Sequence, residues 1–205
     1  MRKYKWIRGL SIFGIIVVSV LICFTLFIGM MLDGGAYISY DFDSMQEIEA
    51  TLKGNGDIEV RSDGGMYYFD VEDMVEEECM IYVYRTGGTL KKKHNDFVGY
   101  SGQYEYSKDP EQIYVKIQCF AQSGFNSQLT NGLIYLDAIE IGGNGCTVYS
   151  GKNYTGNEEL SLFFDKEMYR YCIYMWSDRR EMQPVTIDRE MFLETASGLI
   201  ESMYR

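Results

Sequence analysis

Twenty-four uncharged residues separate Arg8 from Asp33, and between Ile12 and Ile22 only Gly14 and Ser19 interrupt the apolar side chains. A helix of about 20 apolar residues crosses the hydrocarbon of a bilayer. The pattern therefore predicts a transmembrane helix over 9–32, acting as an uncleaved signal anchor, because Gly34-Gly35-Ala36 is a poor cleavage site. Arg2, Lys3, Lys5 and Arg8 precede it, whereas Asp33, Asp41, Asp43, Glu47 and Glu49 follow it. Retention of Lys and Arg on the cytoplasmic side orients the chain with its C-terminal part outside. The expected organisation is a cytoplasmic tail 1–8, the transmembrane helix 9–32, a juxtamembrane connector 33–43 and an extracytoplasmic domain 44–205, in a single-pass protein of the cell membrane.

Within that domain the apolar period changes twice. Ser44 followed by Glu47, with Met45, Ile48 and Leu52 on one stripe and Gly54 after it, predicts a short capped helix over Met45 to Lys53. From Asp57 to Val71 the alternation is twofold about the turn residues Ser62-Asp63-Gly64-Gly65, the pattern of a β-hairpin. Cys79 to Tyr84, Ile113 to Cys119, Leu133 to Ile141, Cys146 to Ser150, Leu160 to Phe164 and Tyr169 to Trp176 read as further strands separated by turn signals. Leu90 to Tyr106 fits either an exposed loop or a short polar strand. Asp188 caps a last helix whose stripe is Phe192, Ala196, Leu199 and Met203. The connections are too short for repeated helical crossovers. The expected fold is α+β: a mostly antiparallel sheet of about seven strands, packed by a short N-terminal and a longer C-terminal helix.

Charge narrows the partners. The 173 residues from Asp33 onward hold all 30 carboxylates and 15 of the 19 Lys and Arg, a formal charge of −15. Such a field repels nucleic acid and favours cations or a basic partner. Besides Cys23 there are four cysteines, Cys79, Cys119, Cys146 and Cys172, without a close Cys-x-x-Cys pair, which argues against a redox centre or a zinc knuckle. Outside the cytoplasm an even number predicts at least one disulfide. Parity puts Cys79 and Cys119 on apolar strand faces, so Cys79–Cys119 with Cys146–Cys172 is the preferred pairing, with free buried thiols as the alternative.

The stretch from Gly151-Lys152-Asn153-Tyr154 through Tyr171-Cys172-Ile173-Tyr174-Met175-Trp176-Ser177-Asp178 to the final helix resembles the C-terminal part of an extracytoplasmic domain of unknown function. That family occurs in Gram-positive bacteria behind single transmembrane helices and in some anti-sigma factors. Trp176, Asp178, Thr186-Ile187 and Ala196-Ser197 carry the resemblance, while Arg179-Arg180-Glu181 fills a turn where glycine is usual. The resemblance implies a fold and a location outside the cytoplasm, and brings no catalytic residues with it.

Nor do the residues themselves assemble a catalytic motif. His94 is the only histidine, follows three lysines, and has no nucleophile beside it in sequence. The acidic run Asp70, Glu72, Asp73, Glu76, Glu77 and Glu78 lacks the spacing of a calcium loop. Asn153-Tyr154-Thr155 has glycosylation spacing but also suits a turn. The 18 tyrosines are the chemistry in excess. On strands they form either the two faces of a covered sheet or contact area for a protein or glycan. No catalytic, cofactor-binding or metal-binding residue is assigned. The expected function is a noncatalytic membrane-anchored extracytoplasmic module that binds a protein or cell-envelope component, in sensing or assembly, with the bilayer engaged through 9–32. The alternative is an extracytoplasmic hydrolase using paired carboxylates.

Overall fold

Ser44 Oγ accepts a hydrogen bond from the Glu47 amide at 3.1 Å, and the Glu47 carboxylate accepts one from the Asp43 amide at 3.0 Å. These two bonds satisfy amides that the first helical turn leaves without partners, and they start helix α1, Met45–Gly54. The computed structural model that shows this describes residues 17–25, 35–54, 58, 60, 65–71, 74–87, 93–107, 112–122, 132–153, 155–177 and 187–205. A second helix, α2, Arg189–Glu201, begins where the Asp188 carboxylate accepts from the Glu190 amide at 3.2 Å.

Eight strands form one sheet: β1 Ala36–Phe42, β2 Val75–Thr86, β3 His94–Ser107, β4 Ile113–Ala121, β5 Ile134–Ile141, β6 Asn144–Lys152, β7 Glu158–Lys166 and β8 Tyr169–Ser177. Their spatial order is β1-β2-β3-β4-β8-β7-β6-β5, and every neighbouring pair is antiparallel. Two four-stranded meanders thus meet at β4 and β8, and β1 and β5 are the edges.

The pleat separates two faces. On one, a single register row runs Tyr40, Ile81, Tyr100, Cys119, Tyr171, Phe164, Cys146 and Ile139 across all eight strands. This is the face covered by helix: Met45 and Ile48 of α1 and Phe192, Ala196, Leu199 and Ile200 of α2 are buried in the same core as Ile81, Tyr100 and Tyr171. Residues 66–71 lie over it too, tied by the backbone bridge of Tyr68 to Tyr204. Burying about 150–250 Å² for each such aromatic ring makes these tyrosines a large share of the hydrophobic stabilisation.

Several expectations need correction. The sheet has eight strands rather than about seven. The hairpin expected over 57–71 is not formed in the described part: Tyr68 pairs with Tyr204, while 61–64 lie outside the described residues. The alternation also breaks down here, since the consecutive residues Tyr68 and Phe69 are both buried in the core. From His94 on, the ambiguous stretch Leu90 to Tyr106 is the long strand β3, and 90–92 lie outside the described residues. The transmembrane helix and signal anchor over 9–32 are not found: among the described residues no helix is long and apolar enough to cross a membrane. Of that span the structure describes a helical stretch over 17–25. At about 1.5 Å per residue it reaches roughly half the hydrocarbon thickness. Residues 9–16 and 26–32 lie outside the described residues.

The disulfides are also absent: Cys79, Cys119, Cys146 and Cys172 are free and buried. Sheet geometry gives the reason. Cys79 on β2 and Cys119 on β4 do share the helix-covered face, but β3 lies between them, and two strand spacings of about 4.8 Å exceed the ~7 Å that a bridge tolerates. Cys146 lies in the Tyr171 and Phe164 row, whereas Cys172 pairs with Gln118 and Phe163 and points to the other face. Burial pushes the Cys79 thiol up to about 11 and the Cys172 thiol to about 12, as suits small apolar core residues rather than nucleophiles.

Candidate functional site

Among the described residues no helix covers the second face of the sheet, and alternation fills it with rings. Tyr135 on β5 meets Tyr149 on β6 edge-on at 5.9 Å, Tyr149 meets Phe163 on β7 at 5.4 Å, and Phe163 meets Tyr174 on β8 at 5.8 Å. These are directly opposed or diagonal cross-strand pairs, the neighbours that pleated geometry brings within reach. Tyr114 on β4 stacks on Trp176 of β8 at 5.8 Å, Tyr82 of β2 lies against Phe120 of β4 at 6.4 Å, and Tyr37 of β1 lies against Tyr84 of β2 at 5.0 Å. Only β3 contributes no ring here. Gly99 sits on this face, where an added Cβ would fall 2.7 Å from the Phe120 ring, and Ser101 Oγ hydrogen-bonds the Tyr82 hydroxyl at 3.0 Å. Along the sheet the rings pass from buried at its centre, Trp176, Tyr174 and Phe163, to exposed at its edges, where Tyr135 is 57% and Tyr37 72% accessible.

Two polar groups are set among the rings. Ser161 is fully buried with its hydroxyl unpartnered, directly across from both Tyr149 and Tyr174. Glu159, two residues earlier on the same strand, is directly across from Trp176 on one side and Gly151 on the other. Burial pushes its carboxyl up to about 7, against a smaller opposing effect of the Lys116 ammonium. Among the described residues no ion pair neutralises it.

Glu159 also lines a cavity of about 610 Å³ with Leu133, Leu160, Ile187 and the strand ends around Gly151. The local chain path creates it. β5 begins at Ile134, opposite Ser150, so Gly151 and Lys152 of β6 have no β5 partner. Gly132 turns at φ +85°, and Leu133 folds onto Gly151, where an added Cβ would lie 2.3 Å from Leu133 Cδ2. Only a residue without a side chain leaves Leu133 that position.

The residues weighed from sequence are dispersed. His94 is the first residue of β3, near the Asp96 carboxylate at 3.2 Å. Within the acidic run, Glu76 accepts from the Met45 amide at 3.0 Å and so reinforces the start of α1. Glu72 and Asp73 lie outside the described residues. Among the described residues no group of His, Cys, Asp and Glu could hold a metal ion. Asn153 Oδ1 accepts from the amides of Thr155 and Asn157, at 3.1 and 2.9 Å, and from the Thr155 hydroxyl at 2.7 Å, so the motif is built into a turn. The tyrosines divide: Tyr68 and Tyr171 belong to the helix-covered core, while Tyr82, Tyr84, Tyr114 and Tyr174 are on the open face. The strand expected from sequence starts at Leu160 and so leaves Glu159 out, whereas β7 starts at Glu158 and alternation with Ser161 and Phe163 puts Glu159 on the aromatic face. No family model, curated protein or solved structure matches the chain.

Proposed function

We propose that the protein is a noncatalytic module that binds a protein or cell-envelope component through the open, ring-bearing face of its sheet, outside the cytoplasm. The observation that carries this reading is the asymmetry of the two faces: helices cover one, and rings that reach high exposure at both edges, Tyr37 and Tyr135, line the other. Tyrosine suits such a role because it offers large, rigid contact area with a polar tip. A formal charge of −15 over 33–205 favours a partner with a basic surface. The resemblance of residues 151–200 to an extracytoplasmic family supports the location. The tuned carboxyl, Glu159, has the Lys116 ammonium acting on it rather than a second carboxylate. That favours binding over paired-carboxylate hydrolysis.

The test is formaldehyde crosslinking in intact cells with wild type and the Tyr37→Ser, Tyr135→Ser double variant. Both side chains are largely exposed, so the variant keeps its fold, checked by thermal unfolding. Loss of most of the crosslinked partner supports the reading; an unchanged yield contradicts it.

A further inference from the structure

The cavity beside Glu159 combines three features that together select a ligand class. Its volume of about 610 Å³ is within the range of small-molecule sites. Leu133, which lies over Gly151 on the Glu159 side of the strand, and Ile187 provide apolar wall, while Lys152 and Glu158 are at its rim. Among the described residues Glu159 is the single half-buried carboxyl in that wall, with Trp176 directly across from it on β8. We propose that this cavity binds the ammonium end of a small amphipathic amine, with Glu159 as counter-charge and the leucine and isoleucine side chains around its apolar body. This rests on the binding reading above and names the chemistry of one subsite at the end of the same face.

The alternatives fit less well. A divalent cation needs six or more oxygens converging on one point, and among the described residues the cavity wall supplies carboxylates only from Glu158 and Glu159, which are adjacent in the chain and so point to opposite faces of the strand. An anionic ligand would meet the Glu159 carboxylate in the field of an acidic domain. A neutral ligand would leave the Glu159 carboxyl desolvated without a partner, a cost that an ammonium removes. Among the described residues the other titratable groups facing Glu159 are Lys116 from β4 and the Tyr174 phenol from β8, while Lys152 and Glu158 stand at the rim on the other side of the strand. Glu105 stands at the far end of the same register row, beyond Tyr114 and Trp176. Lys116 favours the ionised form from a distance, whereas the bound ammonium would do so by contact.

Binding is therefore coupled to a proton. With the free carboxyl at about 7 and an alkyl amine charged at either pH, binding releases about nine-tenths of a proton at about pH 6 and about a tenth at about pH 8. The probe is n-hexylamine, titrated calorimetrically into the full chain in two buffers of different ionisation enthalpy, with hexan-1-ol as the neutral comparison. Support is a preference for the amine of about tenfold or more, with the stated proton release. In Glu159→Gln that preference falls to near unity and the proton release disappears. Equal binding of amine and alcohol, absent proton release at about pH 6, or no binding of the amine would overturn the proposal. The proton count on wild type stands even if the variant fails to fold. Each of these failures leaves the Tyr37 and Tyr135 crosslinking result untouched, so the subsite and the face are judged separately.

Discussion

The Tyr100 hydroxyl donates to the Tyr67 carbonyl at 2.8 Å, and the amide of the same residue donates to the Tyr171 hydroxyl at 2.9 Å. Tyr100 and Tyr171 flank Cys119 in one register row on three adjacent strands, so the central sheet grips both backbone groups of one residue in the crossing segment. Without this clamp, residues 66–71 would lack the bonds that seat Tyr68 and Phe69 over the sheet. Tyr100→Phe and Tyr171→Phe should each lower stability by about 1–2 kcal/mol, the cost of leaving a part-buried backbone group unpaired. Because both act on Tyr67, the double variant should cost less than their sum. Urea unfolding of the three variants measures this, and strict additivity would mean that the two bonds do not act as a unit.

That clamp was not legible in the sequence, although much around it was. The capping pair Ser44 and Glu47, the Asp188 cap and the alternating runs through Ile117 and Ile173 signal their elements locally, because their period and end residues are local properties. The pattern at β3 is broken by Gly99 and Gly102, whose missing side chains are covered by the Phe120 ring and the Tyr104 hydroxyl. Local alternation cannot reveal that a ring from the neighbouring strand, or one folded back along the same strand, covers a glycine. The cysteine pairing failed for a similar reason: parity gave the faces of Cys79 and Cys119 correctly but not the strand order that inserts β3 between them. For the site, parity placed tyrosines on a second face, yet the cavity depends on where β5 starts relative to β6, a register that no residue type announces.

Gly102→Ala should destabilise the fold by about 1–3 kcal/mol through overpacking. The new Cβ would lie 2.3 Å from the Tyr104 hydroxyl and 2.8 Å from Met45 Cε, and the rigid ring has no room to yield. Chemical denaturation against wild type gives the value; a neutral effect would show that Tyr104 does not lie across Gly102.

Stability should fall as pH rises, in part through Glu159. Its carboxyl titrates near the ordinary 4.5 when unfolded and at about 7 when folded. Below about 4.5 both states are protonated and its full contribution is present. Between these values the unfolded chain ionises first, so stability is lost as pH rises, and the loss levels off above about 7. Discounted for its partial exposure, the effect is on the order of 1–2 kcal/mol. The informative quantity is the difference in slope between wild type and Glu159→Gln in that window. Parallel curves would contradict a buried Glu159.

Thiol counting tests the corrected cysteine assignment. In unreduced native protein a thiol reagent should label Cys23 rapidly and the four buried cysteines slowly, and after unfolding all five should react. Three reactive thiols or fewer in denaturant would indicate a bridge that the strand order forbids.

The most direct test of the central claim is site-specific photocrosslinking in intact cells. A benzophenone side chain replaces Tyr82 or Tyr135 on the open face and Glu190 or Glu194 on the exposed side of α2, one position per variant. Adducts of the same partner from positions 82 and 135, with none from 190 and 194, are the predicted result. Adducts from the α2 positions alone, or equally from both faces, would contradict a binding surface on the ring-bearing face of the sheet.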